Sequence, residues 1–129
     1  MMAIIRVRFT SPGMHCWPGA PERRAYLRNV HRHLFVVTVE TLVEHDEREI
    51  EFHDLLDAAR IGFVIGDEWS CETMARDLAN KLCKDFKRPM TVIVSEDGEC
   101  EAEVSVMLAE IKTAPPTQDA PFRPPGEFG

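Results

Sequence analysis

Along residues 3–10 the apolar positions Ile5, Val7 and Phe9 alternate with Arg6, Arg8 and Thr10. A period of two predicts a strand with one face buried and one face wet. From Ser11 to about Ala25, Pro12, Gly13, Pro18, Gly19 and Pro21 recur too often for a long regular element, so an irregular connection is expected. Alternation resumes over 31–44, a run rich in β-branched residues with Phe35, Val37, Val39 and Thr41 on one parity, which predicts a long second strand.

The charged stretch 45–49 reads as a turn. Beyond it, Ile50 to Phe52 is expected to pair back as a short strand, with Asp54 capping a helical turn through 55–60. Residues 61–69 carry no periodicity that assigns them. Ser70 then has the chemistry of an N-cap, and Met74, Leu78, Leu82 and Phe86, flanked by Ala75 and Ala79, repeat at helical spacing. Lys84, Lys87 and Arg88 suit the carbonyl end of that helix, and Pro89 stops it. Two more strands follow, 90–96 and from Cys100 onward, joined by Asp97-Gly98, a dipeptide that favours tight hairpin turns.

This order predicts an α+β fold: an antiparallel four-stranded sheet with helices packed on one face. The aperiodic, proline-rich stretch 113–129 is expected to be a disordered tail to a single domain spanning 1–112.

Composition adds constraints. The chain has 129 residues and a formal charge of −7 at pH 7. Such an acidic surface is poorly suited to nucleic-acid backbone or an anionic membrane, both of which reward an excess of Lys and Arg. Small polar or cationic ligands remain compatible. No run approaches the ~18 apolar residues of a membrane span, and the N-terminus lacks the apolar core of a secretion signal. The scattered cysteines, Cys16, Cys71, Cys83 and Cys100, form no CxxC pair and read as reduced thiols, which points to a cytoplasmic location.

Candidate chemistry concentrates in three histidines. His31 and His33 lie two apart at the start of a strand and therefore project from the same face. His15 lies on the segment that must return to that strand. Three imidazoles so placed suit a tetrahedral ion with one open position, as catalytic zinc requires. An HxH by itself is equally compatible with ordinary polar strand residues, the reading that fits His45 and His53.

The pattern His15, then His31-x-His33 opening a long strand, resembles the zinc motif of the 6-pyruvoyl- and 6-carboxy-tetrahydropterin synthases. Three further segments are similar to motifs of that family in the same order. IEFHDL (50–55) resembles its VxDFxxL, SCETMA (70–75) its T-S-E-N-L-A, and VSE (94–96) its VxE. The likeness spans residues 3–110. It implies a T-fold that assembles into homo-oligomeric rings, often hexamers in that family, with Zn2+ on His15, His31 and His33. It also implies a carbon–oxygen lyase acting on a pterin-type, dihydroneopterin-triphosphate-derived substrate, in biopterin or 7-deazaguanine (queuosine precursor) synthesis. Glu96 would anchor the amidine edge of the base, and Glu72 would help to shape the pocket.

The chain departs from that pattern where proton transfer is expected. Leu27 stands four residues before His31, where the enzymes carry a cysteine, and 60–70 holds no counterpart of their Asp-His segment. Candidate substitutes are Cys16, beside His15, the adjacent pair His53 and Asp54, and Glu22 on the connecting loop. The alternative is a catalytically degenerate T-fold that binds a purine- or pterin-like ligand, or serves as a structural partner.

Overall fold

The computed structural model describes residues 2–108. The domain boundary expected at 112 and the tail expected over 113–129 lie outside the described residues. Four strands form one antiparallel sheet in the order β1-β2-β3-β4: β1 Ala3–His15, β2 His31–Val43, β3 Met90–Glu96 and β4 Cys100–Val106. Two α-helices, α1 Phe52–Gly62 and α2 Cys71–Phe86, are inserted between β2 and β3, and a 3-10 segment, Glu22–Arg28, joins β1 to β2. The expected α+β architecture is the one observed.

Each strand buries one parity. Val7 and Phe9 of β1, Phe35, Val37 and Val39 of β2, Val92 and Val94 of β3, and Val104 and Val106 of β4 all enter one apolar cluster. Helix α2 closes it with the stripe Met74, Leu78 and Leu82, each at most 1% exposed. The other face of the sheet is more polar, with the Arg6–Glu40 ion pair at 2.6 Å and the Thr91–Ser105 hydroxyl contact at 2.8 Å between strands. Ser70 caps α2 by accepting from the Thr73 N–H, as expected. Lys87 ends it in the left-handed conformation (φ 57°), its N–H donating to the Cys83 carbonyl.

Two local expectations are corrected. Strand β1 does not stop at Thr10 but runs to His15, in register with β2 so that His15 pairs with His31 and Pro12 with Leu34. Proline is tolerated there because β1 is an edge strand and needs ladder partners on one side only. Ile50 to Phe52 is not a strand: Glu51 caps α1, its carboxylate accepting from the His53 and Asp54 N–H groups, and Phe52 is the first helical residue. The cap is therefore Glu51, not Asp54. A glutamate in that role hides the helix start from a reading that looks for Ser, Thr, Asp or Asn.

Candidate metal centre

The long β1–β2 ladder brings His15 and His31 side by side, and the two-residue period of β2 puts His33 on the same face. One ring nitrogen from each lies within 4.8 Å of the other two. Ring centroids are 4.7 Å apart for His15–His31, 4.9 Å for His31–His33 and 5.2 Å for His15–His33. His15 is buried at 7% exposure, and Phe35 packs edge-on against both His15 and His33 as an apolar floor.

All three Nδ1 atoms are already engaged. His15 Nδ1 is 2.9 Å from the Trp69 carbonyl oxygen, His31 Nδ1 is 2.8 Å from that of Asn29, and His33 Nδ1 is 2.7 Å from Asp97 Oδ2. A carbonyl oxygen only accepts, and so does an ionised carboxylate, so each Nδ1 carries the proton and donates it. In a neutral ring that leaves Nε2 as a bare lone pair. Three such nitrogens aimed at one another are unfavourable in an empty site and well suited to a divalent cation. His33 Nε2 is buried with no hydrogen-bond partner among the described residues, the orphaned acceptor expected of a metal ligand. The residues present therefore fit a metal ion.

The positions of the acceptors are set by the fold. Trp69 ends the loop after α1, where its N–H donates to the Gly66 carbonyl at 3.1 Å. Gly66 has to lack a side chain, because a Cβ there would overlap the Trp69 indole. Asp97 sits in the β3–β4 turn with φ 57°, and Leu34 N–H donates to its Oδ1 at 2.8 Å. That bond and the one from His33 hold the Asp97 carboxyl below its ordinary value.

Glu96, the last residue of β3, faces the same cluster. Its Oε2 lies 3.2 Å from His15 Nε2 and its Oε1 3.8 Å from His33 Nε2. The Cys71 thiol at the start of α2 lies near this carboxylate. Burial first, then the charge and hydrogen bond of Glu96, push that thiol up to about 12.

Of the residues singled out in the sequence, the structure brings together His15, His31, His33 and Glu96. Glu72 is exposed on α2, lining a shallow groove with Trp69, Thr73 and Arg76. Cys16 is half-buried directly after His15, and its main-chain N–H donates to the Asp67 carbonyl. His53 and Asp54 are elsewhere. They open α1, whose first residue lines a cleft with Ala3, Ile5 and Val43 at the opposite end of β1. Twelve residues of extended chain separate that end from His15, roughly 40 Å. There His53 pairs with Glu51 at 3.1 Å. Asp97, Cys71 and the carbonyls of Asn29 and Trp69 were not singled out as site residues. Main-chain acceptors have no sequence signature, and Asp97 was accounted for by the turn it forms.

No protein-family model matches the sequence, and no curated protein does. In three dimensions the chain is similar to 6-pyruvoyl tetrahydropterin synthase from Plasmodium vivax, with a TM-score of 0.59 at 15% identity over 83% of this chain and 99% of that one. A catalytic-residue mutant of the same enzyme gives a TM-score of 0.58 at 14% identity over the same shares. At these identities the likeness is one of fold: the four-stranded sheet with its helices on one face is the T-fold expected from the sequence.

Proposed function

We propose that this T-fold chain is a zinc-dependent, tetrahydropterin-synthase-like protein acting on a pterin-type substrate, with the metal on Nε2 of His15, His31 and His33. The observation that carries this reading is the arrangement of the triad's ring nitrogens. Each Nδ1 faces an oxygen acceptor, and one nitrogen of each ring lies within 4.8 Å of the other two, which leaves Nε2 of each ring for a cation. Imidazole nitrogens at a compact three-ligand site suit zinc among the common divalent ions.

Bound zinc would supply a Lewis acid that polarises a carbonyl or hydroxyl oxygen of the substrate side chain. The chain's own groups would do the rest. Glu96 offers two acceptor oxygens in a plane, which matches the paired N–H donors of an amidine edge in a pterin- or purine-like base. The buried floor of Phe35 keeps the inner side of the centre dry, which strengthens every polar interaction there. Assembly as a homo-oligomer, and a place in biopterin or 7-deazaguanine precursor synthesis, belong to the same reading.

A binding role without turnover is favoured by one observation. The thiol that reaches Glu96, Cys71, is held protonated well above neutral pH, and the imidazole–carboxylate pair His53 and Asp54 lies at the far end of the sheet. Glu96, beside the triad, and Cys16, directly after His15, are then the candidate bases.

Elemental analysis of the purified chain, together with a His31→Ala/His33→Ala variant, tests the metal. About one zinc per chain, lost in the variant, is expected. A zinc-free wild type that also fails to take up added zinc overturns the reading. Incubation of the zinc-loaded protein with dihydroneopterin triphosphate then separates the two roles: product formation supports the enzyme, and tight binding without product supports the binding protein.

A further inference from the structure

Asp97 opens the β3–β4 turn with φ 57°, followed by Gly98 at φ 77°. Asn-Gly and Asp-Gly serve such a turn about equally well, and glycine also adopts its left-handed conformation. The turn alone therefore does not require a carboxylate at this position. Three hydrogen bonds run from this one residue to β2. The Asp97 N–H donates to the Leu34 carbonyl, the Leu34 N–H donates to Oδ1, and His33 Nδ1 donates to Oδ2, at 2.8, 2.8 and 2.7 Å. His15 and His31 are oriented by main-chain carbonyls, and His33 alone depends on a side chain.

Resting on the metal reading above, we propose that Asp97 is a positioning residue of the centre: by accepting the Nδ1 proton of His33 it fixes that ring's tautomer and turns Nε2 toward His15 and His31. A carboxylate in this role also makes the imidazole a better electron donor to a cation than a neutral acceptor does. Both of its oxygens are in use, one on a rigid main-chain N–H and one on a ring that has two tautomers.

That asymmetry makes a sharp test. An asparagine at this position has a single acceptor oxygen and tolerates the left-handed conformation. The main-chain N–H of Leu34 cannot change its character, so it keeps that oxygen, and the amide NH2 faces His33. The ring answers by accepting at Nδ1 and moving its proton to Nε2, where it points into the centre. A glycine at this position leaves Nδ1 to water and imposes no tautomer. Asp97→Asn should therefore damage the centre more than Asp97→Gly, although it removes fewer hydrogen bonds.

The experiment compares wild type, D97N and D97G as full-length chains. Zinc affinity is read by competition with a chromogenic chelator, and the tautomer of His33 in the metal-free chains by 15N NMR. The expected result is Nδ1–H for His33 in wild type and Nε2–H in D97N, with zinc affinity lowered roughly 10- to 100-fold in D97N and less in D97G. A merely structural clamp predicts the reverse order, D97G worse than D97N, with the tautomer unchanged, and that result overturns the proposal. Equal zinc affinity in all three chains overturns it too while leaving the metal reading intact. A wild type that binds no zinc overturns both.

Discussion

Glu96 Oε2 stands 3.2 Å from His15 Nε2, a nitrogen whose ring has already committed its proton to the Trp69 carbonyl. A carboxylate facing a lone pair is repulsive, and a cation between or beside them makes the contact favourable. Glu96→Gln keeps the shape and removes the charge. Zinc affinity should fall roughly 10-fold or more, as for other outer carboxylates of metal sites, and chelator competition measures it. Unchanged affinity would show that the carboxylate serves only an organic ligand.

Metal uptake should stabilise the native chain by mass action. At free zinc near 100 times the dissociation constant, the expected gain is about 2.7 kcal/mol, seen as a zinc-dependent rise in melting temperature. His33→Ala should abolish the rise. A rise of the same size in that variant would place the stabilising zinc elsewhere.

The core should be separable from the centre. Leu78 is fully buried beneath the sheet, and Leu78→Ala should cost roughly 2–5 kcal/mol by denaturant unfolding. Zinc stoichiometry at saturating metal should be unchanged, since the triad is carried by β1 and β2 and two of its rings pack on Phe35.

Acid stability should bear the mark of Glu49. Its carboxylate accepts from Arg88 at 2.6 Å and from the Glu44 N–H, which lowers it to about 2 from an ordinary 4.5. A carboxyl lowered by folding contributes stability that is fully present above the unfolded value and is lost as pH falls through the folded one. Between about pH 4.5 and 2, wild type should therefore lose stability that Glu49→Gln has already lost. Urea titrations across that window should give a flatter acid limb for the variant; parallel limbs would refute the assignment.

Thiol reactivity should be ordered by exposure and thiolate content. Cys100 is exposed, while Cys83 is buried and Cys71 is both buried and pushed up to about 12. With iodoacetamide at neutral pH, peptide mapping should find Cys100 alkylated first, and Cys71 and Cys83 only on unfolding. Rapid modification of Cys71 in the native chain would contradict its burial.

The elements that were legible in the sequence are those whose own side chains bury one face. Phe35 to Thr41 and Met90 to Glu96 read as strands, and the stripe Met74, Leu78 and Leu82 as a helix, because burial imposes the period directly. What was illegible depends on partners distant in the chain. Pro12 and Gly13 read as breakers, yet Leu34 and His33 hold them in register as strand. Glu51 reads as strand until its carboxylate is seen to accept two helical N–H groups. At the site, three histidines could be picked out by spacing, but the atoms that orient them come from Asn29, Trp69 and Asp97, two of them through main-chain oxygens that any residue carries.

Trp69 and Asp97 hold their histidines across 54 and 64 positions of chain. Each contact therefore exists only where the fold has brought together segments far apart in the chain. An unfolded chain offers a metal its histidines without these acceptors, so none of the three rings is held in one tautomer. Metal capture at full strength therefore comes after the sheet has zipped and both loops have docked. In that sense the centre is a latch on a finished fold, and its affinity for zinc is a direct gauge of how completely these distant segments have come together.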